Sequence, residues 1–182
     1  DSASNRVFNV TSTANVTIRN MKIRHGKTSS SGAGIYIQPA SVATCGFTID
    51  SCEIVDNISN VAANYTAGGG GIFASYSDNA STSVTVTLLN CTISGNSTSS
   101  RGGGVFFCRG GSNGSLTSVI RNCTISGNTA SGTDGQTGGG IAIHNHGATV
   151  TNSTIVGHTS TNASGGGGGI GQRYGTLTLT ST

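Results

Sequence analysis

Charged side chains are scarce in this sequence of 182 residues. Asp, Glu, Lys and Arg together make up 8% of it, against roughly 25% in ordinary globular proteins. The formal net charge is only +3, and no run of Lys and Arg alternates with aromatic residues. Proteins that bind nucleic acids need such a basic surface. The composition therefore predicts no nucleic-acid partner.

Long apolar runs, Trp and Pro are also rare or absent. No stretch approaches roughly 18 consecutive apolar residues, so we expect no segment of this sequence to insert into a membrane. There is one Pro and no Trp, whereas Gly accounts for 30 residues and Ser, Thr and Asn are abundant. Such a composition is typical of disordered chains unless a repeat organises it. Whether the chain folds therefore depends on internal repetition.

Two motifs alternate along the whole chain. One is a glycine-rich run followed by an aliphatic residue, at residues 32–35, 69–72, 102–105, 138–141 and 167–170. The other has Asn or Ser at its first position and Ile at its fourth, at residues 20–23, 51–54, 90–93, 122–125 and 152–155. Successive copies of either motif lie 29 to 39 residues apart. A period in this range indicates stacked structural repeats.

Between the motifs, apolar residues alternate with Thr at residues 84–88, 148–151 and 177–180. A period of two predicts half-buried β-strands, and no window has helical spacing. We therefore expect an all-β fold, a right-handed single-stranded parallel β-helix of about six coils with three short strands each. Residues 1–182 then form a single domain. Because parallel strands lie roughly 4.8 Å apart, six coils make a rod about 25–30 Å long.

Alignment of the coils predicts columns of side chains that point inward. The strand after the Asn motif contributes Ile23, Ile54, Ile93, Ile125 and Ile155. The Thr-rich strand contributes Ile18, Ile49, Leu88, Ile120, Val150 and Leu179. The predicted core is therefore an aliphatic stack, and insertions at 60–68, 77–82 and 131–137 fall where loops connect strands.

Asn recurs at the corner that precedes the isoleucine column, as Asn20, Asn90, Asn122 and Asn152. Asn tolerates the left-handed backbone angles of a tight corner, and stacked side-chain amides can hydrogen-bond from coil to coil. A second corner repeats the pattern with Asn57, Asn96 and Asn128. We interpret both sets as structural ladders.

Three of the five cysteines fall in one predicted column, namely Cys52, Cys91 and Cys123, between Met21 and Ser153. If they point inward, they are small buried hydrophobic residues. A disulfide between adjacent coils is sterically compatible with this spacing, so a reduced ladder and a single disulfide both stay open. No Cys and His spacing typical of zinc is present. We therefore expect neither a metal nor a cofactor.

Only six acidic residues occur, and three of them, Asp50, Glu53 and Asp56, lie in one coil. Paired carboxylates of this kind can serve a glycosidase. The aligned columns, however, place Arg19 against Asp50 and Lys22 against Glu53. We interpret these as surface ion pairs between coils, each worth about 0–1 kcal/mol. No catalytic residue is therefore predicted.

Two further patterns have a functional and a simpler interpretation. His144 and His146 resemble the start of a metal site, but no third ligand is near in the sequence, and we expect a solvent-facing pair at a strand end. An outward column of Thr is typical of ice-binding solenoids, but Val119 interrupts it and Gly46 and Gly147 break the neighbouring column. β-Branched residues suit exposed strands in any case.

The alternation of G-G-G-I, T-L-T-L-T and N-x-T-I-S-G-N segments resembles the repeats of bacterial right-handed β-helix surface proteins, including adhesins of the polymorphic outer-membrane protein type. The resemblance covers residues from about 7 to 180. It implies an exported or surface-displayed protein that builds fibres or adheres. Pectate lyases and polygalacturonases share this fold, but their clustered acidic sites have no counterpart in this sequence.

We therefore expect an extracellular or cell-surface module that is structural or adhesive, and not an enzyme. Both ends of the sequence fall inside the repeat, and open β edges invite further pairing. The expected partners are a second copy stacked end to end, neighbouring coils of a longer chain, and surface glycans. A polysaccharide lyase or hydrolase is the alternative function, and an ice-binding solenoid is a second alternative.

Overall fold

The computed structural model describes residues 5–39, 44–76, 82–111, 113–133, 137–161 and 166–182. These ranges contain 22 short strands and no helix. The strands form four parallel sheets in which each strand pairs with its equivalents in the neighbouring coils. This β-solenoid of about five turns confirms the predicted fold class. A membrane-spanning helix, which would have to be long and apolar, does not occur in the described ranges.

The two larger sheets have six strands each. The glycine motifs lead into the glycine sheet, which consists of β1 (Phe8–Val10), β5 (Ile35–Ile37), β9 (Ile72–Ala74), β13 (Val105–Cys108), β17 (Ile141–His144) and β21 (Ile170–Arg173). The Thr-rich segments form the threonine sheet, which consists of β2 (Val16–Arg19), β6 (Thr44–Asp50), β10 (Ser83–Leu89), β14 (Ser115–Arg121), β18 (Gly147–Thr151) and β22 (Leu177–Thr180).

The two smaller sheets have five strands each. The isoleucine sheet follows the Asn motif and consists of β3 (Lys22–Arg24), β7 (Glu53–Val55), β11 (Thr92–Ser94), β15 (Thr124–Ser126) and β19 (Thr154–Val156). The short sheet consists of β4 (Lys27–Thr28), β8 (Ile58–Ser59), β12 (Ser97–Thr98), β16 (Thr129–Ala130) and β20 (Thr159–Ser160). This fourth strand of each coil was not predicted, because two residues are too few to show a period.

The core lies between the sheets and is built from the inward columns. Strand register stacks Ile23, Ile54, Ile93, Ile125 and Ile155 in one line. The first four are fully buried and Ile155 is partly buried. Burial of each such side chain contributes about 1.5–3 kcal/mol. Leu179, also predicted to point inward, pairs with buried Val150 but is 51% exposed, because no described coil follows it.

The glycine runs let the backbones of successive coils approach closely. A Cβ atom on Gly103 would lie 2.4 Å from the carbonyl oxygen of Gly139 and 2.5 Å from that of Thr129. Since both obstacles are backbone atoms, a side chain there would force whole coils apart. The repetition of Gly before β5, β9, β13, β17 and β21 of the glycine sheet therefore has a steric cause.

Candidate functional site

The corner between the threonine and isoleucine sheets is formed by residues with left-handed backbone angles. Asn20, Asn90, Asn122 and Asn152 have φ values of 56°, 52°, 55° and 48°, and all four are exposed. Asn122 Nδ2 donates to Asn90 Oδ1 at 3.3 Å, whereas Asn90 Nδ2 donates to Asp50 Oδ1 at 3.0 Å. Ser51, with φ 53°, fills the corner where Asn is missing. Tolerance of positive φ is thus the feature that Ser51 and the four Asn residues of this corner share.

The corner between the isoleucine and short sheets holds a continuous ladder of Asn57, Asn96 and Asn128, all with 0% exposure. Asn57 Nδ2 donates to Asn96 Oδ1 at 2.9 Å, and Asn96 Nδ2 donates to Asn128 Oδ1 at 3.0 Å. The same two oxygens accept the backbone N–H groups of Asn57 and Asn96 at 3.0 and 2.9 Å. The buried polar groups of this corner are therefore satisfied from coil to coil.

The isoleucine column depends on the same ladder. The Nδ2 atoms of the three ladder residues donate at 3.1, 2.9 and 2.9 Å to the carbonyl oxygens of Ile23, Ile54 and Ile93. Each of these isoleucines therefore supplies an apolar side chain to the core and an acceptor to the ladder. A buried polar group without a partner costs about 1–3 kcal/mol. The ladder consequently stabilises one register of the coils.

His158 takes the ladder position in the last coil. Its Nδ1 accepts a hydrogen bond from the backbone N–H of Asn128 at 3.1 Å, and its Nε2 donates to the carbonyl oxygen of Ile125 at 3.0 Å. Burial lowers the pKa of His158. The sequence analysis did not include His158 in the ladder, although Gly157 and His158 align with Gly127 and Asn128 in the preceding coil.

Cys52, Cys91 and Cys123 form a second buried column, which Ser153 continues. All five cysteines are free. The three thiols donate to carbonyl oxygens two residues earlier at 3.3, 3.0 and 3.2 Å, and Ser153 Oγ makes the same bond at 2.9 Å. Cys123 Sγ and Ser153 Oγ also accept backbone N–H groups of the preceding coil, at 3.5 and 3.2 Å. The column therefore contributes hydrogen bonds as well as packing.

The acidic residues of the second coil form one ion pair. Lys22 Nζ lies 2.7 Å from Glu53 Oε2, with the side chains 50% and 56% exposed. Arg19 lies opposite Asp50 in the strand register, but the predicted ion pair between them is not formed. The Asp50 carboxylate instead accepts hydrogen bonds from Asn90 and Ser51, which lower its pKa. Three further acids, Asp1, Asp78 and Asp134, lie outside the described residues.

The expectation that His144 and His146 face solvent is wrong, since they are 7% and 6% exposed. His146 Nε2 bonds to Ser118 Oγ at 2.9 Å and its Nδ1 to the carbonyl oxygen of His144 at 3.2 Å. Burial lowers the pKa of His146 to about 4. His144 is covered by Tyr65, from the insertion at 60–68, whose carbonyl oxygen lies 2.9 Å from His144 Nδ1. Within the described ranges no three His, Cys, Asp or Glu residues could hold a metal ion.

The outer face of the glycine sheet carries stacked aromatic rings. The rings of Tyr36 and Phe73 lie 5.2 Å apart between centroids, and the Arg6 guanidinium lies 4.3 Å from the Tyr36 centroid. A shallow cavity of about 290 Å³ adjoins them and is lined mainly by polar groups, including Gln38 and Ser75. Further along this sheet lies Cys108, but burial raises the pKa of its thiol to about 12, so the reactive thiolate is scarce at neutral pH.

The outer face of the threonine sheet has one regular column. Strand register aligns Thr17, Thr48, Thr87, Val119, Thr149 and Thr178. The neighbouring column contains Gly46 and Gly147, and Asn15 Oδ1 there accepts the backbone N–H of Gly46 at 2.7 Å. Of these two described columns, one therefore presents a row of hydroxyl groups, which Val119 interrupts.

Comparisons of the chain with protein-family models, with curated proteins and with solved structures found no significant match. The fold and the ladders define the class of protein as a parallel β-solenoid. Its function is therefore inferred from its end coils and outer faces.

Proposed function

We propose that this protein is an extracellular structural and adhesive solenoid, whose end coils stack on further coils to build a rod or fibre. The observation that carries the proposal is the continuity of the inward columns at both ends. Val16 in the first coil and Leu177 in the last are partly buried residues that pack on the core. Leu179, in the same last strand, is 51% exposed.

A second copy stacked head to tail extends the strand register across the junction. This extension sets Leu177 on Val16 and Leu179 on Ile18, so that the two apolar columns of the threonine sheet continue. Edge strands also present unpaired backbone groups that pair readily with another strand. A head-to-tail contact that does not close on itself produces a filament.

The charges at the ends are compatible with this stacking. The first coil carries cations, and the extended register of the threonine sheet sets the uncharged Thr180 opposite Arg19. Like charges directly opposite each other would destabilise a pair of strands. The stacked arrangement contains no such opposition at this position.

The acids of the second coil support a structural function over polysaccharide cleavage. Glu53 is paired with Lys22, and Asp50 accepts hydrogen bonds from Ser51 and Asn90. A general acid needs an environment that raises its pKa, whereas the surroundings of Asp50 lower it. These carboxylates therefore resemble parts of the coil-to-coil bonding more than a catalytic pair.

The adhesive part of the proposal assigns a glycan to the polar cavity beside Tyr36 on the glycine sheet. The cavity is lined by the Gln38 amide, whose Oε1 accepts a hydrogen bond from the Tyr36 hydroxyl, and by the exposed hydroxyl groups of Ser30 and Thr66. Neutral amides and hydroxyls suit a ligand that is rich in hydroxyl groups. Glycan-array binding should fall in a Gln38→Ala variant and persist in Gln172→Ala, which alters the same sheet in the last coil.

Self-association is tested with two variants of the last strand. Leu179→Lys places a charge in the apolar column where the next coil would stack, whereas Thr178→Lys places it on the outer face. Leu179 is already 51% exposed, so we expect the isolated chain to fold in both variants. Sedimentation velocity should show concentration-dependent assembly of the wild type and Thr178→Lys, and little assembly of Leu179→Lys. Equal assembly of both variants would contradict stacking through this end.

A further inference from the structure

The buried Asn ladder ends at a residue that can titrate. In the inner coils, the acceptors for the backbone N–H groups of Asn57 and Asn96 are amide oxygens, which do not take up protons in the physiological range. In the last coil the equivalent acceptor is the Nδ1 atom of His158, which accepts the Asn128 N–H at 3.1 Å. This hydrogen bond exists only while Nδ1 carries no proton.

The two partners of the ring fix its tautomer. A backbone N–H is always a donor and a carbonyl oxygen is always an acceptor. The N–H of Asn128 therefore requires a bare Nδ1, and the carbonyl oxygen of Ile125, 3.0 Å from Nε2, requires the hydrogen on Nε2. Protonation of Nδ1 would place two N–H groups against each other and leave the Asn128 N–H without its acceptor.

Among the described residues, no counter-ion near the ring would stabilise the protonated form. The groups around the ring are the backbone amides of Asn128 and Ile125 and the backbone at Gly140, where an added Cβ would lie 2.6 Å from Nε2. The pKa of His158 is affected by burial and by the two backbone hydrogen bonds of the ring. No charged side chain of the described residues affects it. Burial is the larger influence and lowers the pKa.

The sign of the pH effect follows from this lowered pKa. When the corner opens, the imidazole regains its ordinary pKa of about 6.5 and takes up a proton more readily than in the closed form. The closed corner is therefore fully favoured above about pH 6.5, and the balance moves toward the open form as the pH falls below that value.

We propose that His158 makes the final strands of the isoleucine and short sheets acid-sensitive, so that protonation at Nδ1 detaches β19 and β20 from β15 and β16 while the coils joined by Asn stay closed. If the proposed stacking holds, mild acid also weakens the junction formed by this end. This second consequence rests on the proposed function, whereas opening of the corner does not.

Hydrogen exchange of the full chain at pH 7 and pH 5 tests the proposal, with rates corrected for the intrinsic effect of pH. The matched control is His158→Asn, which restores the ladder residue of the inner coils and removes the titrating group. Protection of the Asn128 N–H should fall up to about tenfold for each pH unit below 6.5 in the wild type, and little in His158→Asn. Dilute, monomeric samples keep the result independent of stacking. Equal pH dependence in the two proteins would overturn the proposal.

Nitrogen-15 NMR of the imidazole in the wild-type protein gives a second test that needs no variant. At pH 7 the spectrum should show a protonated Nε2 and a bare Nδ1, and Nδ1 should become protonated as Asn128 loses protection. A ring with the hydrogen on Nδ1 at pH 7 would contradict the geometry and overturn the proposal, even if His158→Asn failed to fold.

Discussion

The backbone N–H and the side-chain NH₂ of Asn57 both donate to one atom, Oδ1 of Asn96, at 3.0 and 2.9 Å. Asn96 also donates to the carbonyl oxygen of Ile54, and its side chain is fully buried. Asn96→Ala removes these bonds and leaves buried polar groups without partners. We expect a loss of roughly 2–4 kcal/mol in the free energy of unfolding, measured by denaturant titration.

The control for this substitution lies at the exposed Asn corner. Asn122 has φ 55° and is exposed, so Asn122→Gly keeps the required backbone angle. Its cost should stay below about 1 kcal/mol. If Asn122→Gly proved as destabilising as Asn96→Ala, the buried ladder would not contribute more to the free energy of unfolding than the exposed Asn corner does.

Gly103→Ala should prevent folding or cost more than about 3 kcal/mol. The added Cβ would meet the carbonyl oxygens of Gly139 and Thr129 at 2.4 and 2.5 Å. Gly127→Ala is the matched control, because no atom lies within 4 Å of its Cβ position and only its φ of 59° is strained. That strain costs about 1–2 kcal/mol. Thermal unfolding monitored by circular dichroism distinguishes Gly103→Ala from Gly127→Ala. Similar melting temperatures of the two variants would contradict the close packing of the coils.

Cys123→Ser should cost less than about 1 kcal/mol, because Ser153 already occupies the same column and makes the same two kinds of hydrogen bond. Cys123→Val has a similar size but cannot accept the backbone N–H of Cys91, which now lies 3.5 Å from the sulfur. We expect Val to be the more destabilising by about 1 kcal/mol or more in chemical denaturation. The reverse order would mean that the column contributes packing alone.

The free energy of unfolding should fall as the pH decreases from about 6.5 to about 4, because of His146. Burial lowers its pKa to about 4 in the folded chain, whereas the unfolded chain binds the proton near pH 6.5. This stability is present above pH 6.5 and amounts to up to about 3 kcal/mol. Denaturant midpoints at several pH values measure it. His146→Gln should flatten the dependence and His158→Asn should leave most of it; a flat profile in the wild type would contradict a neutral buried His146.

The solenoid could be predicted because the glycine motif and the Asn motif alternate along the chain, with successive copies of either motif 29 to 39 residues apart. Ile23, Ile54 and Ile93 stack as their shared motif predicts, since a parallel solenoid turns equal sequence positions into neighbours. The right-handed winding stays a prediction. The fourth strand was missed because its pairs, such as Ser97–Thr98, are too short to show alternation.

Side-chain environments were harder to predict than positions. His146 was expected to face solvent, but it lies against Phe107 with 6.0 Å between ring centroids. His144 is covered by Tyr65, which is 79 residues away in sequence. Arg19 faces Asp50 in register, yet Asp50 bonds to Asn90 one coil further on. Alignment of coils shows which residues are neighbours, but not which of several neighbours a polar side chain selects.

Negative-stain electron microscopy of the purified chain at increasing concentration tests most directly whether the solenoid builds rods by end-to-end stacking. We expect rods that lengthen with concentration, with an axial repeat of about six strand spacings, or roughly 29 Å. Leu179→Lys should shorten them. Uniform short particles at every concentration, unchanged by Leu179→Lys, would contradict the proposed assembly.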